Sequence, residues 1–228
     1  MADLGSITLR LAMVLAVYAS LGSILGARRQ FPELIRSARY ASYLTAPVLL
    51  IAATALVAAF VTQDFQIRYV AMHSNRAMEP IYTWVAFYAG NEGSILYITL
   101  ALASLAAIAF ARAPLVLQSS LPYVIAITMF VLAFLLGVMI FLADPFALLS
   151  VTPPNGQGMN PLLTHPGMFI HPPLLMAGLV AITIPFSFAI GTVLSGKFRD
   201  EWVDTGRTWA LVAWGLLGIG LLLGAWWA

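Results

Sequence analysis

Two of the three histidines, His165 and His171, lie in one short stretch, residues 160–175, which reads NPLLTHPGMFIHPPLL. Histidine is the commonest metal ligand and also titrates near neutral pH. Pro172 and Pro173 fit the first turn of a helix, where a missing N–H costs nothing. We therefore expect His171 at the N-terminal edge of a helix, whose dipole disfavours imidazolium and leaves a ring lone pair free for a metal. The alternative is an ordinary loop role, in which the ring bonds a nearby carbonyl.

The rest of the composition limits the metal centres that these histidines could serve. The chain has no cysteine, so thiolate ligation, thioether attachment, disulfides and Fe–S clusters are excluded for this chain alone. A closed zinc site needs about four ligands, and the third histidine, His73, is far away in a polar HSNR stretch. Haem needs one or two axial imidazoles and a large apolar cradle. Haem is therefore the better fit of the two.

Glu92, in the sequence GNEGS, is the acid at the mouth of an apolar segment. Two interpretations stay open for it. An acid in the first turn of a helix is stabilised by the helix dipole, which would make Glu92 a structural capping residue. An ionisable group at a membrane edge is also often functional. The aromatic residues near the ends of the apolar segments, including Trp226 and Trp227, have interfacial anchoring as their ordinary role.

The elements that must position these side chains are membrane helices. The chain has 228 residues, of which 61% are hydrophobic and 9% are charged, whereas about a quarter are charged in a soluble domain. A soluble globular core is therefore excluded. Six apolar segments are long enough to span a bilayer. We predict an all-α integral membrane protein, a single domain over residues 1–228, with six transmembrane helices at residues 7–27, 40–61, 93–111, 121–143, 172–194 and 208–228.

The connections between the helices carry the polar chemistry. The first, residues 28–39, is short and rich in arginine. The two long loops, residues 62–91 and 144–171, contain all three histidines, and PPNGQG in the second argues against regular structure there. We also expect bends at Pro47 and Pro185.

Lysine and arginine placement predicts the topology, because cytoplasmic loops carry an excess of both. The first, third and fifth connections hold eight of these residues, and the two long loops hold only Arg68 and Arg76. Both termini and both long loops are therefore predicted to lie on the outer face. The eight are Arg28, Arg29, Arg36, Arg39, Arg112, Lys197, Arg199 and Arg207.

Three stretches together resemble one known family. Residues 160–175 look like the periplasmic histidine segment of the CcmF haem lyases of cytochrome c maturation. Residues 70–97, VAMHSNRAMEPIYTWVAFYAGNEGSILY, are similar to that family's HSNxxLPxxY and WGxxEGS motifs, and LLLGAWWA is similar to the helix leading into its tryptophan-rich loop. The chain departs from the family pattern at Met78, Glu79, Tyr88 and Met176.

The resemblance implies a haem lyase (cytochrome c synthase) component in the bacterial inner membrane, with its haem-handling loops facing the periplasm. His171 matches the first of two external histidines that ligate haem, while His165 matches a family position without being assigned as a ligand. Trp226 and Trp227 would contribute to the wall of the haem site. The cofactor would be haem b, in a shared site completed by residues outside this chain.

The implied partners are a haem chaperone, apocytochrome c, the tryptophan-rich C-terminal portion or subunit, and membrane lipid, with no nucleic acid. We expect the chain to be an amino-terminal fragment or one half of a split gene, inactive by itself. Two other function classes stay open: a structural scaffold subunit whose histidines only cap loops, and a quinone- or proton-linked membrane oxidoreductase subunit centred on Glu92.

Overall fold

A computed structural model describes residues 1–196 and 201–227, without the side chain of Glu201. In this part of the chain the regular elements are helices, and six helical runs are long and apolar enough to cross a membrane. The predicted fold class of six apolar spans is thereby confirmed. The helices are α1 (Ala2–Arg29), α2 (Pro32–Val61), α3 (Arg68–His73), α4 (Thr83–Phe87), α5 (Asn91–Ala111), α6 (Leu121–Leu142), α7 (His171–Ala181), α8 (Thr183–Ser195) and α9 (Glu201–Trp227).

The fifth span consists of α7 and α8, separated at Ile182. Pro185 has no N–H to donate to the carbonyl of Ala181, four residues earlier, and its ring crowds that carbonyl. The predicted bend is therefore found one turn before Pro185 itself. In contrast, α2 continues through Pro47 without a break.

The predicted arginine-rich loop over residues 28–39 is wrong. α1 continues to Arg29 and α2 begins at Pro32, so only Gln30 and Phe31 connect them. Arginine is a good helix former, and proline fits the first position of a helix. Gln30 ends α1 in the left-handed region, with φ of 52°. Likewise α9 begins at Glu201 rather than at residue 208, while Lys197 and Arg199 lie outside the described residues.

Small residues set the helix contacts in the bundle, as is usual in membranes, where close approach of backbones replaces hydrophobic burial. On α1, Gly22 faces Ala38 of α2, and Gly26 faces the backbone of Ile35. α6 packs between α1 and α8, and α2 packs on α5. The last span, α9, packs mainly on α7 and leaves most of its surface outside the bundle.

The two long loops lie together at one end of the bundle. Main-chain bonds join them: Ala71 accepts from the N–H of Gln157 at 2.7 Å, and Gln66 accepts from that of Leu149 at 2.8 Å. The ring of Phe146 covers Gly5 near the N-terminus, and the Trp227 ring lies beside His171. Both loops, the first residues of α1 and the last described turn of α9 therefore share one end, which we name the loop end. Which face of the membrane this end occupies stays a prediction.

A single cysteine at exposed Gln157 tests that prediction, because the chain has no native cysteine to interfere. The described arginines on the predicted cytoplasmic side, such as those at the end of α1 and the start of α2, lie at the opposite end of the bundle. The loop end should therefore face outwards. We expect Gln157→Cys to react with a membrane-impermeant maleimide in intact cells. Glu33→Cys, exposed at the start of α2, should react only after lysis. The reverse labelling pattern would overturn the topology.

Candidate functional site

His171 is the first residue of α7, directly before Pro172 and Pro173, as the sequence predicts. Its ring is half-buried and turns towards α9. Its Nδ1 lies 2.7 Å from the main-chain oxygen of Gly220. A carbonyl can only accept, so Nδ1 carries the proton and, in the neutral ring, the lone pair is on Nε2.

This arrangement is typical of metal-ligating histidines. Such histidines usually donate the second ring N–H to a carboxylate, a carbonyl or water, which fixes the tautomer and the ring orientation. No residue in the described part of the chain forms a hydrogen bond with Nε2 of His171. The ring can therefore offer Nε2 to a metal without giving up an existing bond.

Two glycines of α9 make the Gly220 carbonyl accessible. In a helix the side chain at position i+4 lies over the carbonyl of residue i, and here position 224 is glycine. A Cβ on Gly224 would come within 2.6 Å of His171 Cε1. A Cβ on Gly220 would come within 2.8 Å of the backbone nitrogen of Leu175. The GxxxG pair therefore lets α9 contact both the backbone of the first turns of α7 and the ring of His171.

The tryptophans at the end of α9 surround the same place. The Trp227 ring centroid lies 5.9 Å from that of His171, with the planes inclined by 32°. The Trp226 ring lies 5.2 Å from that of His165 and is 64% exposed. Both tryptophans thus lie next to the histidine segment, with Trp226 offering a free aromatic face. Their role as the wall of a haem site stays a prediction.

His165 is placed differently from His171. It caps the short 3-10 turn Pro166–Phe169, and its Nδ1 accepts from the N–H of Gly167 at 3.0 Å. In the neutral ring the Nδ1 lone pair is therefore used by the Gly167 N–H, and the proton is on Nε2. Metal ligation by His165 would require breaking the cap of its own turn. The geometry favours the loop role over a ligand role.

Two tyrosines that the sequence did not single out as site residues brace the histidine segment. The Tyr88 hydroxyl donates to the main-chain oxygen of Met168 at 2.8 Å, and the Tyr97 hydroxyl donates to that of Pro173 at 3.1 Å. Burial, and secondarily the nearby Tyr97, raise the pKa of the Tyr88 phenol further above neutral pH. Tyr88 is the position at which the chain departs from the family tryptophan, and this departure was the available signal.

Glu92 is the second residue of α5, and the helix has no side-chain cap at Gly90. Its Oε1 lies 3.7 Å from Arg68 Nη2, with the two side chains 19% and 44% exposed. Among the described residues Glu92 forms no capping hydrogen bond, and its carboxylate forms an ion pair with Arg68, the first residue of α3. A long, partly exposed pair of this kind contributes about 1 kcal/mol or less to stability.

His73 belongs to a separate, well-packed cluster in the other long loop. Its Nδ1 lies 2.9 Å from the main-chain oxygen of Tyr69, and the two rings are 4.4 Å apart. Gly90 lies against both rings, and its N–H donates to the Tyr69 hydroxyl at 2.9 Å. Burial raises the pKa of Tyr69 above its ordinary value. Within the described ranges no three His, Asp or Glu side chains form a metal-binding group.

The fold and the loop end define a polytopic α-helical membrane protein that holds one imidazole, through a main-chain carbonyl, in the manner of a metal ligand. The chain belongs to the family described as cytochrome C assembly protein, whose model matches residues 88–228, more than half of the chain. The family membership predicted from the three resembling stretches is thereby confirmed.

Several relatives match nearly the whole chain. It is 37% identical over 229 residues to the cytochrome c-type biogenesis protein CcmF of Pseudomonas aeruginosa, covering 99% of this chain and 35% of that protein. It is 34% identical over 232 residues to CcmF of Escherichia coli K12, covering 100% and 35%. A solved structure, cytochrome c heme lyase CcmF, superposes with a TM-score of 0.84 at 28% identity, covering 99% of this chain and 36% of that one. The chain thus spans about a third of the length of these relatives.

Proposed function

We propose that this chain forms one side of a haem-handling site for cytochrome c-type biogenesis. The observation that carries the proposal is the bond from His171 Nδ1 to the Gly220 carbonyl, because it fixes the tautomer that a haem iron requires. Its family and its similarity to CcmF proteins support the same function. The activity, substrate and partners of the whole relatives are part of this proposal, because those relatives are about three times longer than this chain.

The residues present fit haem as one half of a site. His171 would hold the iron through Nε2, and Trp227 and Trp226 would contribute to the wall of the site. When bound, haem supplies the iron for this ligand and the porphyrin to be attached to the cytochrome. The chain's own residues hold and orient it: Gly220 fixes the imidazole, Tyr97 holds the first turn of α7, and Tyr88 holds the preceding turn.

We assign the cofactor as haem b, with its second ligand supplied by a tryptophan-rich portion that corresponds to the remaining two thirds of the relatives. A haem chaperone would deliver it, and apocytochrome c would receive it. The loop end would face the periplasm of a bacterial inner membrane, as the arginine distribution predicts. His165, Pro172 and Pro173 would shape the segment without touching the iron.

The rival functions gain less support from the geometry. A proton- or quinone-linked subunit centred on Glu92 would need that acid inside the bundle, whereas it pairs with a partly exposed arginine in the first turn of α5. A pure scaffold would require only the Nδ1 bond of His171 and assigns no role to its unbonded Nε2.

Haem titration separates these functions. We expect the detergent-purified chain alone to bind haem weakly, because it offers one ligand and a partial wall. Together with the tryptophan-rich portion it should bind one haem with the low-spin absorbance of two axial imidazoles. A scaffold would give no binding in either preparation. Equal tight binding with and without the second portion would contradict a shared site.

A further inference from the structure

A groove of about 440 Å³ opens at the end of the bundle opposite the histidines. It lies along one face of α2, and its described lining combines two cations, two phenols and an apolar floor. The lining residues are Pro32, Ile35, Arg36, Arg39, Tyr40 and Tyr43. No carboxylate lines it in the described part of the chain.

The two arginines of the groove are unneutralised. In the described chain the ion pairs are Arg68–Glu92 and Arg207–Asp204, so neither Arg36 nor Arg39 takes part in one. Glu33, the acid in the first turn of α2, is exposed and pairs with neither. A guanidinium that lines a concave site without a carboxylate is a favourable partner for an anion.

Arg39 also holds an unmet donor. One Nη2 hydrogen is donated to Gln118 Oε1 at 2.8 Å, which fixes the guanidinium plane. Its Nε is buried and has no hydrogen-bond partner among the described residues. A buried donor left unpaired costs about 1–3 kcal/mol, so the side chain gains stability if a ligand draws this edge of the guanidinium into the groove.

The position of the groove along α2 indicates where such an acceptor would come from. The part of α2 beyond Tyr40 is long enough by itself to cross a hydrocarbon core of about 30 Å. Arg36, Arg39 and Tyr40 therefore lie at the level of lipid headgroups, where tyrosine is also enriched. Tyr43 lies one turn further along α2, towards the acyl region, whereas Ile35 lies before the two arginines.

We propose that this groove binds the phosphodiester headgroup of an anionic phospholipid, held by Arg36 and Arg39, with an acyl chain running along the face of α2. Basic pockets at the cytoplasmic ends of membrane helices bind such headgroups by this chemistry. The site is separate from the histidine end and does not depend on the haem assignment. It would neutralise both arginines and supply an acceptor to Arg39.

Native mass spectrometry of the detergent-purified chain tests the proposal. The chain is titrated with an equimolar mixture of phosphatidylglycerol and phosphatidylethanolamine. We expect phosphatidylglycerol to occupy the first lipid site about tenfold more tightly. Arg36→Gln with Arg39→Gln should remove this preference. The matched control, Arg28→Gln with Arg29→Gln, removes two exposed arginines from the same end and should retain it.

Three outcomes would overturn the site. The wild-type chain could show no preference, or both double variants could lose it equally, which would indicate diffuse surface charge. Inorganic phosphate or glycerophosphoglycerol could compete as tightly as the lipid, which would indicate a soluble anion. If the glutamine pair does not fold, Arg36→Lys with Arg39→Lys keeps the charge but loses the planar fork. Its preference should fall below wild type, and an unchanged preference would contradict the assignment.

Discussion

Replacing His171 by glycine is expected to lower haem retention by at least about a hundredfold and to abolish cytochrome c maturation. The change would remove the proposed iron ligand, and even the loss of a residue that only orients a ligand costs about 10- to 100-fold in metal affinity. The variant should be measured in a complex that includes the tryptophan-rich portion. Haem is read by absorbance of the purified complex, and maturation by the yield of covalent cytochrome. Added imidazole should fill the space left by the ring and restore part of both.

His165→Gly is the matched control for this substitution. It removes a ring six residues away in the same segment, but that ring only caps the turn at Gly167. Loss of a cap costs about 1 kcal/mol of stability, which should leave haem retention and maturation near wild type. If the two glycine variants behave alike, or if His171→Gly keeps its full haem, His171 is not the ligand.

The second large effect is expected from Gly178→Ala, in the contact between α7 and α9. The new Cβ would fall onto the backbone nitrogen of Leu217, and 2.7 Å from its Cα. Backbone atoms cannot rotate out of the way, so α9 must move. We expect a loss of about 2–3 kcal/mol in stability, typical of severe overpacking. Haem affinity should fall as well, because the Gly220 carbonyl would shift away from His171.

The measurements for this variant are thermal unfolding in detergent and haem titration of the complex. Gly137→Ala is the control, because Gly137 lies in α6 and a Cβ there would meet no atom within 4 Å. That variant should unfold at the wild-type temperature or slightly above it. Wild-type stability and haem affinity of Gly178→Ala would show that α7 and α9 do not depend on this close contact.

Much of the fold could be predicted from the sequence because the bilayer imposes simple requirements. A span needs about 20 apolar residues with satisfied backbone groups, so α5 and α6 were located to within two residues of each end. The position of His171 was predictable because Pro172 and Pro173 mark a first helical turn. The arginine-rich connection was not, because charged residues continue a helix as readily as they occupy a loop.

The partner of His171 could not be predicted, for a different physical reason. Its acceptor, the Gly220 carbonyl, is 49 residues away and is a main-chain atom, so no side-chain pattern points to it. The available sequence signal is the GxxxG spacing of Gly220 and Gly224, which indicates a close helix contact but does not identify the partner helix. The ion pair of Glu92 with Arg68 likewise depends on how the short helix α3 folds back against α5.

The use of a main-chain oxygen to hold the imidazole affects which sequence changes this chain can tolerate. A carbonyl is present whatever residue occupies position 220, so point substitution cannot delete the acceptor. Inserting or deleting one residue in α9 before Gly220, however, rotates every later position by about 100° and shifts it by about 1.5 Å along the axis. Such a change would turn the oxygen and both glycines away from α7. This segment should therefore vary by substitution of its lipid-facing residues and keep a constant length.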